Sequence, residues 1–116
     1  MAGPVLVHLI TPMGWDEARA AGEVRPPSLA ADGFVHLCRP DQLTAVVGRH
    51  YADWPDALVL ELDADRLDAE VRWVEPHPGE HYPHLHGPLP VHAVVAVHRW
   101  ARDADGRWPP PPLSGS

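Results

Sequence analysis

The run VLVHLI at Val5–Ile10 is apolar and rich in β-branched residues, and Thr11 and Pro12 follow it directly. A short run of this kind is typical of a strand that is buried on both faces. Threonine is a preferred N-cap and proline is favoured at the first helical position, so a helix is predicted to begin at once. Gly22 is predicted to end that helix.

Further along the chain, the pattern predicts more strands and a second long helix. The helix is predicted from Pro40 to Tyr51, because Leu43, Val46 and Val47 fall on one helical face. The predicted strands, each a short apolar or alternating run, are Phe34–Cys38, Ala57–Asp63, Val71–Glu75 and Val91–Trp100.

Two proline-rich stretches are predicted to contain neither helix nor strand. Pro26–Ser28 predicts extended backbone, and Pro76–Pro90, with five prolines and two glycines, predicts a long loop. Strands and two main helices without a regular βαβ alternation indicate the α+β class, with a small split or mixed β-sheet. Residues 1–100 are predicted to form one domain, and residues 101–116 a flexible, proline-rich C-terminal tail.

Charge and composition restrict the class of partner. The chain of 116 residues has 16 acidic and nine basic residues, for a formal net charge of −7. Such a chain repels a phosphate backbone, so nucleic acid is not expected as a partner. No stretch approaches the roughly 20 apolar residues that cross a bilayer, and the single cysteine, Cys38, cannot form an internal disulfide. A soluble, cytoplasmic protein without a membrane partner is predicted, and its oligomeric state stays open.

Two histidines, His8 and His36, lie inside predicted apolar strands. An imidazole is costly there unless it is hydrogen-bonded or lines a cavity. Each strand is followed by a predicted helix, which indicates a pocket shared by the two histidines at the strand ends. The alternative is a pair of hydrogen-bonded core histidines. Cys38 with His36 makes only a weak case for a cysteine–histidine couple, although Arg39 is adjacent.

A second group of histidines lies in the predicted loop, at His77, His81, His84 and His86. Histidine binds zinc and other first-row metals, which leaves a metal-binding protein that uses residues 77–86 as one alternative. The spacing matches no known metal motif, and the prolines prevent a helical face. A bound metal is therefore not expected.

The order of these motifs resembles the bacterial domain-of-unknown-function family 952. The resemblance covers about residues 5–98, and its most specific parts are the GFVH motif at Gly33–His36 and the motif that runs from Pro83 and His84 to Gly87–Leu89. That family has no established activity, so the resemblance implies membership and not a reaction.

A more distant resemblance is to the ADP-ribosyltransferase fold, in particular its RNA 2′-phosphotransferase branch. It rests on the first histidine strand and on Phe34–Cys38. It implies that His8 binds a ribose or the amide of a nicotinamide-type group, that His36 takes the second pocket position, and that loop 84–89 takes the third. The chain departs from the pattern at Cys38, where the branch has serine, at His86, where an aromatic residue is usual, and in lacking a clear glutamate at the third position.

The resemblance implies NAD or an ADP-ribose-like nucleotide as the ligand, and an ADP-ribosyl-type transferase or hydrolase as the activity. The alternative is a non-catalytic ligand-binding or accessory protein. Two residues, His8 and His36, are predicted to be catalytic. The predicted ligand-binding residues, with the two arginines as phosphate anchors, are Thr11, Ser28, Arg39, Arg49, Tyr51, His84 and His86.

Overall fold

The structure is a computed structural model that describes residues 5–113. Its helices are α1 (Pro12–Ala21), α2 (Pro27–Asp32) and α3 (Leu43–His50). Its strands are β1 (Leu6–Ile10), β2 (Glu23–Val24), β3 (Val35–His36), β4 (Asp56–Leu62), β5 (Val71–His77), β6 (Glu80–Leu85), β7 (Leu89–Pro90) and β8 (Val94–Ala101). Single 3-10 turns lie at Pro40–Gln42, Ala64–Arg66 and Val91–Ala93. No helix within 5–113 has the length and apolar character that a membrane span requires.

The junction between β1 and α1 forms as the sequence predicts. The Thr11 hydroxyl accepts a hydrogen bond from the Gly14 amide at 3.0 Å, which caps the helix. At the other end Gly22 adopts φ 88, and its amide donates to the carbonyl of Ala18 at 2.7 Å. Only glycine adopts this left-handed conformation without strain, so the helix ends there.

Replacing Thr11 by alanine is expected to lower the free energy of unfolding by about 1 kcal/mol, because the Gly14 amide loses its acceptor. Thr11→Ser keeps the hydroxyl and serves as the matched control, with a loss below about 0.5 kcal/mol expected. Urea unfolding curves of the three proteins measure both differences. Equal losses in the two variants would show that the cap is not what stabilises this end of α1.

The sheet is split into two three-stranded parts. Strands β1, β4 and β8 form the first in the order β1-β4-β8, and β3, β6 and β5 form the second in the order β3-β6-β5. The parts are joined where Val7 and Cys38 exchange backbone hydrogen bonds of 2.8 and 3.0 Å. Strands β2 and β7 form a separate pair, and every strand pair within residues 5–113 is antiparallel. The predicted α+β class and the split sheet are confirmed.

Two hydrophobic clusters lie on opposite faces of the first part of the sheet. Successive strand residues point to opposite faces, so Leu6 and Leu60 join one cluster, with Ala18 of α1, whereas Val7 and Val59 join the other. His8 shares its face with Leu6 and is likewise buried. The face that α1 covers is therefore the face on which His8 lies.

The predicted extended backbone is present at Pro26 but not at Pro27 and Ser28, and the prediction of a loop over Pro76–Pro90 was wrong. Pro27 begins α2, because proline fits the first turn of a helix, and Gly33 at φ 86 ends it. The predicted loop Pro76–Pro90 contains all of β6, which pairs with β5 through a tight turn at Gly79, φ 81. Proline removes a hydrogen-bond donor but keeps its carbonyl, and Pro83 uses it to accept from the Leu37 amide at 3.1 Å.

The segment after β8 contacts the rest of the domain. Trp108 packs on Trp100 with ring centroids 4.9 Å apart, and the Trp100 indole donates to the carbonyl of Pro109 at 3.0 Å. Arg102 donates to the carbonyls of Trp54 and Gly106, each at 2.7 Å, and also to that of Ala52. The predicted flexibility of residues 101–116 stays a prediction, and residues 114–116 lie outside the described range.

Candidate functional site

A cavity of about 500 Å³, called here the first cavity, opens where β1 passes into α1. Predicted site residues from four separate parts of the chain meet at it. They are His8, Thr11, Ser28, His36 and Tyr51. The two strand histidines thus line one cavity, which is the arrangement predicted from their positions at the strand ends.

His8 is buried, with 4% of its surface exposed, and its Nδ1 atom lies 2.7 Å from the backbone carbonyl of His36. A carbonyl only accepts, so Nδ1 carries the proton and Nε2 keeps a lone pair. Burial lowers the pKa of His8 to about 4; the hydrogen bond to the His36 carbonyl opposes this shift, and the charge of His36 adds to it. Near neutral pH, His8 is therefore an uncharged acceptor for a ligand hydroxyl or N–H group.

The hydroxyls of Thr11 and Ser28 are both used by the local structure. Thr11 accepts from the Gly14 amide, and the Ser28 hydroxyl donates to the carbonyl of Phe34 at 2.9 Å. An oxygen lone pair of Ser28 stays available, because a hydroxyl has two acceptor sites. Each hydroxyl can therefore add a hydrogen bond to a ligand only beside the bond that it already makes to the backbone.

Rings from Phe34, from His36 of β3 and from His84 of β6 form an aromatic cluster beside the first cavity. The rings of Phe34 and His84 stack with centroids 3.9 Å apart, and His36 meets each of them edge-on, at 4.9 and 5.3 Å. Burial lowers the pKa of His84, and the charges of His36 and His86 lower it further. His84 is thus held as a neutral, stacked ring and not as a cation.

A second cavity of about 430 Å³ lies between α3 and the β5–β6 hairpin. His36 and Tyr51 line both cavities, so the two cavities meet at these side chains. Arg49 and His84, both predicted from sequence, line only the second. The predicted site residues are therefore distributed over two adjoining cavities.

Arg49, which lines the second cavity, forms a bidentate ion pair with Glu80 of β6, which does not line it. Its two terminal nitrogens donate to the Glu80 carboxylate at 2.8 and 3.0 Å, and one of them also donates to the Tyr82 hydroxyl at 3.3 Å. The pairing lowers the pKa of Glu80 and raises that of Arg49. Arg49 is 42% exposed and Glu80 is 36% exposed, so the pair is reached by solvent.

Two predicted ligand-binding residues, Arg39 and His86, line neither cavity within residues 5–113. The Arg39 guanidinium donates to the Asp41 carboxylate at 2.9 and 3.1 Å, and His86 lies 5.6 Å from Phe34 between ring centroids. Cys38, the other reactive group considered, is buried, and burial raises its pKa to about 12, with the Asp41 charge adding to the shift. It is an inert thiol near neutral pH.

The structure adds residues to both cavities that the sequence did not indicate. Glu17, Glu23 and Trp54 line the first cavity, and Tyr82 lines the second. His77, indicated by the sequence only as a member of the loop histidine group, lines the second cavity as well. Helical spacing gives a signal for Glu17. It lies three residues after Gly14, so the two share one face of α1, and Gly14 bonds to the predicted site residue Thr11. The others depend on long-range packing and carry no local signal.

The histidines of the predicted loop do not gather around one point. His81 pairs with Glu75 at 3.1 Å, whereas His84 stacks on Phe34. Across the part of the chain that the structure describes, no group of three or more histidine, cysteine, aspartate or glutamate side chains is placed to hold a metal ion. The geometry thus gives the metal-binding alternative no support.

Comparison with known proteins gives a family and solved structures of one similar protein. The family model described as "Protein of unknown function (DUF952)" matches residues 9–97. The crystal structure of protein CC0527 from Caulobacter crescentus is 26% identical, with a TM-score of 0.80 over 90% of this chain and 93% of that one. The solution NMR structure of CC0527 is 27% identical, with a TM-score of 0.73 over 88% and 89%. Among curated proteins, none matches this sequence.

Proposed function

The chain belongs to the DUF952 family of proteins of unknown function, and we propose that its first cavity binds NAD or an ADP-ribose-like nucleotide. The observation that carries the proposal is the convergence of His8 and His36 on one cavity, with His8 fixed as a neutral acceptor. Ribose hydroxyls are the donors that such an acceptor binds. The distant resemblance to the ADP-ribosyltransferase fold supports the same class of ligand by analogy.

Aromatic side chains in the first cavity suit the flat part of such a ligand. Tyr51 and Trp54 line it with ring centroids 4.4 Å apart. Aromatic faces bind planar rings by offset or tilted stacking. The cavity volume of about 500 Å³ lies in the range of small-molecule sites. A nicotinamide-type ring with its ribose is the portion of the ligand that this cavity would take.

The chemistry proposed for the site is cleavage of the N-glycosidic bond. The C1′–N bond breaks with its electron pair on the leaving base, and water or an acceptor hydroxyl then adds to C1′ and loses a proton. Positive charge develops on the ribose, and carboxylates fixed near it lower the barrier. Glu17 lines the same cavity as His8 and supplies that negative charge, whereas the charge of Glu23 is offset by its ion pair with Arg25.

The second candidate is a binding protein without catalysis. The observation in its favour is that His8 is held neutral and is a weak base at a pKa of about 4, while the Cys38 thiol has its pKa raised to about 12. Neither group is a strong proton acceptor or a nucleophile near neutral pH. Mass spectrometry separates the candidates, because only the enzyme releases nicotinamide from NAD.

Calorimetric titration with ADP-ribose and with NAD tests ligand binding. We expect His8→Ala and His36→Ala each to weaken binding about tenfold, because each removes one hydrogen-bonding wall of the first cavity. His92→Ala is the control, since His92 is exposed and bonds to the carbonyl of Arg66 outside both cavities. Thermal melting verifies that the variants fold. Absence of binding at millimolar ligand, or unchanged affinity in both cavity variants, would overturn the proposal.

A further inference from the structure

We propose that the second cavity is a phosphoryl-anion subsite, in which Arg49 exchanges its Glu80 partner for a phosphate of the ligand. The charges of the lining side chains carry this inference. Within the described residues the lining of the second cavity includes Arg49, three histidines and two tyrosines, but no carboxylate. The chain as a whole has a formal net charge of −7, so the charge of this cavity lining is opposite in sign to that of the protein.

The first cavity has the opposite character. Its charged lining residues are Glu17, Glu23 and Arg25, and Arg25 is already paired with Glu23. With histidine counted as neutral, the lining side chains carry a formal charge of −1 in the first cavity and +1 in the second. Glu80, outside that lining, offsets the Arg49 charge, so the second cavity attracts an anion once the anion displaces Glu80. Because the cavities meet at His36 and Tyr51, a ligand that is uncharged or cationic at one end and anionic at the other fits the pair.

The Arg49–Glu80 pair already has the geometry that a phosphate requires. Both terminal nitrogens of the guanidinium face two oxygens of one anion, at 2.8 and 3.0 Å. A phosphoryl group accepts the same two parallel hydrogen bonds and carries more charge than a carboxylate. Because the ion pair is partly exposed, it contributes little to stability, and its carboxylate is a partner that a ligand can displace.

Further hydrogen-bond donors line the same cavity as the guanidinium. His77 and His84 line the second cavity, and each imidazole has an N–H group in its neutral form. The Tyr82 hydroxyl accepts from Arg49 at 3.3 Å and keeps its own proton for donation. The cavity therefore has donors on α3 and on the β5–β6 hairpin. An anion with three or more oxygens can accept hydrogen bonds from both elements, whereas the two oxygens of a carboxylate are already occupied by Arg49.

The inference extends the proposed function, since a nucleotide with its ribose in the first cavity would place its phosphates in the second. Inorganic pyrophosphate tests the second cavity alone. In calorimetric titrations at low ionic strength we expect Arg49→Gln to weaken pyrophosphate binding about tenfold. We expect Glu80→Gln to tighten it about threefold, because the competing carboxylate is removed.

Matched controls come from the Arg72–Glu70 pair, which is exposed and lies outside both cavities. Arg72→Gln and Glu70→Gln change the net charge by the same amounts and are expected to leave pyrophosphate affinity unchanged. Equal weakening by Arg49→Gln and Arg72→Gln, or equal tightening by Glu80→Gln and Glu70→Gln, would overturn the subsite. So would an affinity that Glu80→Gln does not raise.

The variant His8→Ala distinguishes a failure of this inference from a failure of the proposed function. Of the two cavities, His8 lines the first and not the second. The variant is expected to weaken ADP-ribose binding but not pyrophosphate binding. If pyrophosphate behaves as expected and ADP-ribose does not bind, the proposed function fails and the subsite stands. If ADP-ribose depends on His8 but pyrophosphate is insensitive to Arg49→Gln, the subsite fails alone.

Discussion

Iodoacetamide is expected to alkylate Cys38 at least about 1000-fold more slowly in the folded protein than in urea, near pH 8. The thiolate is the reactive form, and burial raises the pKa of Cys38 from 9.0 to about 12, with the Asp41 charge adding to the shift. The thiolate fraction falls by about three powers of ten for that change in pKa. Only 3% of the residue is exposed, which slows the reaction further.

Thr44→Cys supplies an internal reference for this measurement. Position 44 is exposed on α3, so its thiol is expected to react at the ordinary rate while Cys38 in the same molecule does not. Mass spectrometry counts the labels with time. Comparable rates at the two positions in the folded protein would show that Cys38 is accessible and would reopen its role as a nucleophile.

The stability of the protein is expected to fall by about 3 kcal/mol between pH 6.5 and pH 4 on account of His8 alone. The unfolded chain binds a proton on this imidazole below pH 6.5, whereas the folded chain does so only below about pH 4, because burial lowers the pKa. Unfolding therefore takes up a proton within that interval. The contribution is complete above pH 6.5 and is lost as the pH falls toward 4.

Urea unfolding from about pH 4.5 to 7.5 measures this effect against His8→Asn. The variant lacks the titrating ring, so its free energy of unfolding is expected to change less with pH than that of the wild type. Carboxylates held by arginine, such as Asp41 and Glu80, have lowered pKa values and titrate in both proteins. They cancel in the difference. His92→Asn, at an exposed position, should keep the full dependence, and the same slope in His8→Asn as in the wild type would contradict the explanation.

The β1–α1 junction could be predicted because its signals are local. A buried apolar run, a capping threonine, a proline in the first turn and a glycine after the last turn act over a few residues, and each is present. The same signals mark α2, where Pro27 begins a helix that Gly33 ends. There the two adjacent prolines favour extended backbone, and this local preference competes with the helix signals.

Strand β6 could not be predicted because its stability comes from its neighbours. Prolines flank and interrupt it, yet it lies between β3 and β5 and forms the centre of its sheet. Burial of Pro83 and Leu85 against strands distant in sequence outweighs the local preference for a loop. Local composition does not contain that information.

Within the site, the sequence alone singles out His8 but does not tell the two arginines apart. His8 is buried, at a position where only a hydrogen bond or a cavity makes an imidazole tolerable, whereas His36 is exposed and reaches the cavities through the tertiary structure. Arg39 and Arg49 are equivalent by residue type. What separates them is the partner: Asp41 is two residues from Arg39, whereas Glu80 reaches Arg49 across 31 positions of sequence. Only tertiary structure decides which arginine reaches a cavity.

The contacts of Arg102 have a consequence for how this protein can vary. Its guanidinium donates to the carbonyl of Trp54, whose ring lines the first cavity, and to that of Gly106 in the segment beyond β8. A backbone carbonyl is present whatever the side chain is, so a substitution at Trp54 can keep its hydrogen bond, whereas a substitution at Arg102 removes both hydrogen bonds at once. One side chain thus links the wall of the first cavity to the segment beyond β8, and a change at position 102 is expected to alter both together.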